Sequence, residues 1–197
     1  MPPHKAVRSF GRQRASCQGA NRFVSIFSRI FARDKGRAAL LPLYNAIVGA
    51  ARDPAWYVEG GVADSKDGRF DMVAGLLSLA LIRLEGEGPA GASPSALLAE
   101  IFVDDMDGQL RQDGIGDIIV GKHIGRMMAA LGGRIGAYRD AFSGADTLEE
   151  VLLRNLYRGA APPPAALAFA AARMRATHEA LADRPLDALI AGKFPRP

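Results

Sequence analysis

The chain has little of what disulfide-bonded, metal-binding and membrane-spanning proteins need. It contains a single cysteine, Cys17, so a disulfide within one chain is impossible and a reducing compartment is indicated. The three histidines, His4, His123 and His178, lie far apart in the sequence and outside any metal-binding motif. No apolar run reaches the ~18 residues of a membrane span, and residues 1–21 lack the apolar segment of a secretory signal. We therefore expect neither a metal site nor a membrane-spanning helix.

The alternation of apolar and polar residues that is typical of strands is also missing, whereas apolar residues recur at helical spacing along the chain. Hydrophobic residues make up 49% of the chain, which is enough for a full core. We predict an all-α fold, a single irregular helical bundle of about six to eight helices. The body helices are expected at about 37–52, 69–84, 93–110, 117–142, 147–159, 165–182 and 186–191.

Three of these helices carry start signals. Pro42 is expected in the first turn of its helix, where a proline is tolerated. Ser93 is expected to be an N-cap with Pro94 at the first helical position. Thr147 is expected to form a capping box with Glu150.

Positive charge is concentrated at the N-terminus. Residues 1–37 contain nine Lys and Arg and one acidic residue, whereas residues 38–197 contain sixteen basic and twenty acidic residues. A basic arm on a mildly acidic body predicts contact with a negatively charged surface, either lipid headgroups or RNA. We expect a basic flexible tail over 1–22, an amphipathic helix over 23–35 and an all-α domain over 36–197.

The amphipathic segment presents one apolar helical face flanked by arginines. This face is formed by Phe23, Ile26, Phe27, Ile30 and Phe31, the candidate membrane-contact residues. Such a face can lie in a membrane interface or pack on the body, and the sequence leaves both alternatives open. Because the segment is only about three turns long, its membrane affinity would be weak and reversible.

The stretch from Phe102 to Lys122 combines acids, bases and glycines between two apolar segments. It does not match a calcium loop, because placing Gly108 at the sixth position puts Val103 at the first position and Gly114 at the twelfth, where acids are required. It does not match a phosphate-binding loop, because His123 replaces the required Ser or Thr. We therefore predict an interhelical elbow whose glycines permit tight backbone packing.

A second polar cluster, Asp64–Asp71, includes the predicted start of the most apolar helix. An arginine in the first turn of a helix opposes the helix dipole, so Arg69 is expected to pair with a carboxylate among residues 104–113. Acid–base catalysis is not indicated, because no nucleophile or histidine accompanies these acids in the sequence. The candidate partner-binding or polar-network residues are Asp67, Arg69, Asp105, Asp107, Arg111, Asp117, Lys122 and Arg134. Alternatively, these residues serve only to hold two segments of the protein together.

Several short motifs occur in order along the body. They are Leu43–Val48, Pro54–Tyr57, Gly61–Asp64, Asp67–Asp71, Phe102–Asp117, Gly133-Arg134 and Ala137-Tyr138. Over roughly residues 37–158 this ordered set resembles the ubiquinol–cytochrome c chaperone family. The resemblance implies a non-enzymatic all-α domain, without cofactor or metal, that binds newly made cytochrome b and assists assembly of respiratory complex III. Four aromatic residues are the candidate client anchors: Tyr57, Phe70, Phe102 and Tyr138.

The resemblance also implies where the protein works and with what. A small assembly partner and the ribosome are implied partners, and DNA is not. The short chain suggests a bacterial relative that acts in the cytoplasm, peripherally at the inner face of the cytoplasmic membrane.

Two other functions stay open on the sequence alone. The first is a helical binding protein for a quinone, a lipid or heme, which a large closed apolar cavity would favour over an open groove. The second is a ribosome- or RNA-contacting module that uses the basic arm, for which salt-sensitive binding would be evidence.

Overall fold

The described part of the chain is built from helices. The computed structural model describes the backbone of residues 20–112 and 117–196 and the side chains of residues 35–109 and 125–196. In chain order the helices are α1 (Ala20–Ala51), α2 (Ala55–Val58), α3 (Lys66–Glu85), α4 (Pro89–Gln112), α5 (Asp117–Ser143), α6 (Leu148–Asn155), α7 (Pro164–Ala182) and α8 (Leu186–Ile190). No strand occurs within these residues, which confirms the predicted all-α fold.

The chain divides into two units, Met1–Asp34 and Lys35–Pro197. The second unit contains the hydrophobic core, to which α1, α3, α4, α5, α6, α7 and α8 all contribute buried side chains. Among the helices that the structure describes, none combines the length and the apolarity needed to cross a membrane.

Helix α1 is longer than the sequence predicted. A helix starting near residue 37 was expected, with Pro42 in its first turn, but α1 begins at Ala20 and Pro42 lies inside it. A proline in a helix interior removes one backbone hydrogen bond. Packing around Pro42 offsets this loss, because one side of the helix is buried in the core through Leu40, Leu43, Tyr44, Ile47 and Ala51.

Helix α3 lies at the centre of the second unit and contacts α4, α5 and α7. Every residue from Met72 to Leu81 is buried, as expected for a helix that is apolar on all sides. The one hydroxyl in this run belongs to Ser78, which donates a hydrogen bond of 2.7 Å to the carbonyl oxygen of Ala74. The buried polar group is therefore satisfied within the helix.

The start of α3 lies three residues before the predicted one. Ser65 is its N-cap, and the Ser65 side-chain oxygen accepts a hydrogen bond of 3.1 Å from the backbone N–H of Gly68. Gly68, which the sequence analysis placed in a loop, is therefore in the first helical turn. A Cβ atom at this position would lie 2.0 Å from the carbonyl oxygen of Ala63, so the tight entry into α3 requires glycine.

Helix α4 begins at Pro89, so the predicted start at Ser93 and Pro94 is wrong. Pro94 lies inside the helix, where it lacks the N–H that would bond to the carbonyl of Ala90. That carbonyl is in the first turn of α4, so the helix loses one backbone hydrogen bond near its N-terminus. The turn of the predicted elbow, residues 113–116 between α4 and α5, lies outside the described residues. At Gly108, which is described, an added Cβ would meet nothing within 4 Å, so tight packing does not require glycine there.

Helix α6 begins as predicted at its Thr147 N-cap, whose side-chain oxygen accepts a hydrogen bond of 3.3 Å from the N–H of Glu150. The second half of the predicted capping box is different. The N–H of Thr147 donates to Asp146 at 2.8 Å, and Asp146 also pairs with Arg154. The preceding aspartate therefore takes the role that was expected of Glu150.

Helix α7 packs on α3 and α6. Its C-terminal carbonyl groups are capped from α3 by Arg83. The Nε of Arg83 donates to the carbonyl oxygen of Leu181, and Nη2 donates to that of Arg184, each at 2.9 Å. A cation at the C-terminus of a helix also complements the negative end of the helix dipole.

Candidate functional site

A surface groove of about 500 Å³ lies between α1, α3 and α4. It is called the α1–α3–α4 groove below and is lined by Val48, Arg52, Lys66, Arg69, Phe70, Val73, Asp105, Met106 and Gln109. The lining residues of α3 recur at positions i, i+3, i+4 and i+7 and therefore share one face of that helix. The groove thus lies where this face of α3 meets lining residues of α4 and of the C-terminal end of α1.

The floor of the groove is apolar. Val73 and Met106 are only 8% and 7% exposed, and Phe70 is half-buried between them and the core. The Phe70 ring packs against Phe102 with 5.8 Å between the ring centroids. The guanidinium of Arg134 lies 5.5 Å from the Phe70 centroid, on its face. The Phe70 ring in the floor is therefore held in place by its contacts with Phe102 and Arg134.

The rim of the groove carries positive charge. Arg52, Lys66 and Arg69 are exposed, and the one carboxylate that lines the groove belongs to Asp105. Arg52 makes no ion pair with any of the described residues. Arg69 pairs with the exposed Asp64 at 2.7 Å, and this hydrogen bond lowers the pKa of the Asp64 carboxyl. The side chain of Arg69 is still 62% exposed, so water and a partner both reach it.

The pairing predicted for Arg69 is wrong. Its carboxylate partner is Asp64, five residues earlier, and not Asp105 on α4. Asp105 instead accepts a hydrogen bond of 2.6 Å from the hydroxyl of Tyr44 on α1. Burial and this hydrogen bond raise the pKa of Tyr44. Arg69 and Asp105 therefore line the same groove from two helices without touching each other.

A smaller hollow of about 290 Å³ adjoins the groove, and Arg52 and Arg69 line both. Its apolar wall is provided by α2 and includes Val58, which is 80% exposed. Tyr57 lies beside it, and its hydroxyl donates a hydrogen bond of 2.8 Å to the carbonyl oxygen of Ala51. The predicted anchor Tyr57 is therefore at this surface, with its ring held by α1.

An ion-pair cluster is centred on the buried Asp71 and reaches the aromatic floor of the groove through Arg134. The Asp71 side chain has no exposed surface. One of its oxygens accepts from Nη2 of Arg134 and the other from Nε of Arg158, each at 2.5 Å. Arg158 also donates to Asp67 at 2.7 Å. The cluster joins α3, α5 and the segment after α6, and through Arg134 it fixes the aromatic floor of the groove.

Arg134 and Asp67 were predicted from the sequence as network residues, whereas Arg158 and Asp71, the centre of this cluster, were not. A signal for Asp71 was present, because it is the one acid within the apolar run of α3, and a buried carboxylate requires a cation. Arg158 has no comparable signal. Its backbone adopts φ of 53°, a left-handed conformation that costs a non-glycine residue about 1 kcal/mol and that the ion pairs to Asp71 and Asp67 offset.

The other predicted residues are distributed as follows. Phe102 and Tyr138 have no exposed surface, so the structure places them in the core and not at a client-binding surface. Asp107 is half-buried on α4. The side chains of Arg111, Asp117, Lys122, Phe23, Ile26, Phe27, Ile30 and Phe31 lie outside the described residues.

The groove offers apolar contact and positive charge. Within residues 35–109 and 125–196, no three or more His, Cys, Asp and Glu side chains come together as a metal-binding group. The described histidine, His178, stacks on Phe142 with 3.9 Å between ring centroids, and burial lowers its pKa. It lies on α7, which contributes no residue to the lining of the groove.

Comparison with known proteins gives a consistent result. The family described as ubiquinol-cytochrome C chaperone matches residues 58–196. The crystal structure of the Cbp3 homolog from Brucella abortus matches with a TM-score of 0.71 and 32% sequence identity, covering 87% of this chain and 94% of that chain. None of the curated proteins matches the chain. The chain belongs to the ubiquinol–cytochrome c chaperone family, which confirms the resemblance seen in the sequence.

Proposed function

We propose that this protein is a non-enzymatic assembly chaperone that binds newly made cytochrome b and assists assembly of the ubiquinol–cytochrome c reductase complex. The observation that carries the proposal is the α1–α3–α4 groove, with its apolar floor and charged rim, in a chain of the chaperone family. A membrane protein that is not yet assembled exposes apolar segments, and an apolar groove with a polar rim is the surface that shields them.

The groove favours a protein client over a small molecule. It opens to solvent, whereas quinone, lipid and heme sites enclose most of the ligand surface. The adjoining hollow extends the same surface toward the exposed Val58. A helical segment of a client can therefore lie along α1 and reach both hollows.

The N-terminal segment supplies the proposed approach to the membrane. Its apolar face, formed by Phe23, Ile26, Phe27, Ile30 and Phe31, would make reversible peripheral contact at the inner face of the cytoplasmic membrane, where the client inserts. The nine basic residues among residues 1–37 also favour contact with the ribosome that makes the client, and a small assembly partner remains part of the proposal. Salt-sensitive co-sedimentation with ribosomes, lost when residues 1–34 are deleted, would support this second contact.

The test of the proposed function is deletion of the gene, followed by measurement of cytochrome b content and complex III activity. We expect both to fall and to be restored by the wild-type gene. Val73→Asp places a charge in the groove floor and should fail to restore them, whereas Ala172→Asp, on the exposed side of α7, should succeed. Normal cytochrome b and normal complex III activity in the deletion strain would refute the proposal.

A further inference from the structure

The charge of the groove is opposite to the charge of the body around it. Residues 38–197 contain twenty acidic and sixteen basic residues, yet the groove is lined by three cations and one carboxylate. That carboxylate, on Asp105, already accepts the hydroxyl of Tyr44. The rim is therefore positively charged on a mildly acidic body, and it should attract negatively charged ligands selectively.

The three cations lie next to the apolar residues of the floor. Lys66 and Arg69 precede Phe70 and Val73 on the same face of α3, and Arg52 follows Val48 by one turn of α1. Val48, Phe70 and Val73 thus each have a cation within about one helical turn of the same chain segment. A ligand that fits must present apolar groups and negative charges at a similar spacing.

We propose that the groove takes an amphipathic segment of the client in which apolar side chains alternate with carboxylates at helical spacing, and that Arg52 is a specificity-determining residue for those carboxylates. The inference rests on the proposed function and goes beyond it by stating the chemistry of the segment. Arg52 is the best-placed cation because it lines both the α1–α3–α4 groove and the adjoining hollow, and because it has no ion-pair partner among the described residues.

A peptide segment fits this surface better than a lipid headgroup layer. The apolar floor is recessed between helices, so side chains of a narrow segment reach it, whereas a flat membrane surface does not. The shape of the groove therefore favours the peptide.

The test measures binding of labelled amphipathic peptides to the full-length protein by fluorescence anisotropy. The peptides have about 16 residues, roughly 24 Å as a helix, with leucine on one face and glutamate, glutamine or lysine on the other. We expect the glutamate peptide to bind most tightly, with an advantage that shrinks between about 50 mM and about 500 mM salt. Arg52→Glu should weaken the glutamate peptide about tenfold and tighten the lysine peptide.

The matched control is Lys35→Glu, which makes the same charge change on the same helix about 25 Å away. It should leave the order of the three peptides unchanged. Because a misfolded variant cannot gain affinity for the lysine peptide, the inverted preference of Arg52→Glu separates recognition from loss of structure. Equal binding of the three peptides, or a preference that Arg52→Glu does not alter, would overturn the inference.

Two further measurements separate the alternatives. If phosphatidylglycerol vesicles displace the glutamate peptide from the wild-type protein more strongly than phosphatidylcholine vesicles do, the groove is a lipid site and the inference is wrong. Capture of newly made cytochrome b by the wild-type protein is measured in parallel. Capture without any peptide preference would refute the inference alone, whereas absence of capture would refute the proposed function.

Discussion

Replacing Asp71 with asparagine removes the negative charge that two arginines share, with almost no change in side-chain size. In the wild-type protein the Asp71 carboxylate has no exposed surface, and Arg134 is only 12% exposed. An asparagine at this position would leave the guanidinium of Arg134 buried without a counter-charge. Arg158 would also lose its partner, but its side chain is 48% exposed, so water replaces much of that interaction.

The magnitude follows from the burial of the two partners. Breaking one side of a buried ion pair costs about 3 to 5 kcal/mol, because the remaining charge is desolvated and unpaired. The loss of the Arg158 contact adds little to this. We therefore expect Asp71→Asn to lower the free energy of unfolding by about 3 kcal/mol or more, which corresponds to a fall in melting temperature of roughly 6 to 12 °C.

Urea denaturation followed by circular dichroism measures this effect. With an m-value of about 2 kcal/mol/M, the urea midpoint should fall by about 1.5 M. Asp64→Asn is the matched control, because it makes the same chemical change in the exposed pair with Arg69 and should leave the midpoint unchanged. Asp71→Leu combined with Arg134→Met should recover much of the stability, since no buried charge is then left unpaired.

Two results would refute this reasoning. If Asp71→Asn unfolds at the same urea concentration as the wild type, the carboxylate does not stabilise the arginines that surround it. If the double variant is less stable than Asp71→Asn, the loss comes from packing and not from an unpaired charge. The variant should also disturb the groove, because Arg134 would no longer hold the Phe70 ring.

Three more predictions concern other positions in the fold. Gly68→Ala should destabilise the fold, because its Cβ would clash with a carbonyl oxygen, whereas Gly108→Ala should be neutral or stabilise by up to about 1 kcal/mol; equal urea midpoints would contradict this. The hydroxyl of Tyr138 is buried without a hydrogen-bond partner among the described residues, so Tyr138→Phe should change the free energy of unfolding by less than about 1 kcal/mol, while Tyr138→Ala should cost about 3 to 5 kcal/mol; a large loss in the phenylalanine variant would show that the hydroxyl is bonded. Burial lowers the pKa of His178, so below about pH 6.5 the unfolded state binds more protons, and the stability that the neutral ring contributes is lost as the pH falls through its depressed value. Between about pH 7 and pH 5 the urea midpoint of the wild type should therefore fall more than that of His178→Gln, and parallel curves would contradict the assignment.

The extents of two long helices were predictable from the sequence to within a few residues. The predicted helix at 69–84 is α3 (Lys66–Glu85), and the predicted helix at 165–182 is α7 (Pro164–Ala182). Apolar residues recur along the whole length of both helices, and many of them are buried in the core. Prolines caused the errors at α1 and α4, because the sequence signals mark Pro42 and Pro94 as helix starts, while tertiary packing keeps both inside longer helices.

The side-chain pairs of the site were much less predictable. Arg134 and Arg158 reach Asp71 across 63 and 87 residues of sequence, so only the packing of α3 against α5, and of α5 against α6, brings them together. Arg69, by contrast, pairs locally: its partner is Asp64, five residues earlier, and not one of the acids on α4. The residue types predicted that charged and aromatic side chains would form the site. Which side chains pair with each other depends on how the helices are rotated when they pack, and no local sequence pattern encodes that rotation.

The central claim is that the α1–α3–α4 groove holds newly made cytochrome b. The most direct measurement places a photo-crosslinking amino acid at Gln109, which is exposed in the groove, and at Ala172 on the exposed side of α7 as a control. Irradiation during synthesis of the client should give a crosslink to cytochrome b from position 109 and none from position 172. Crosslinks of equal yield from both positions, or from position 172 alone, would contradict the account.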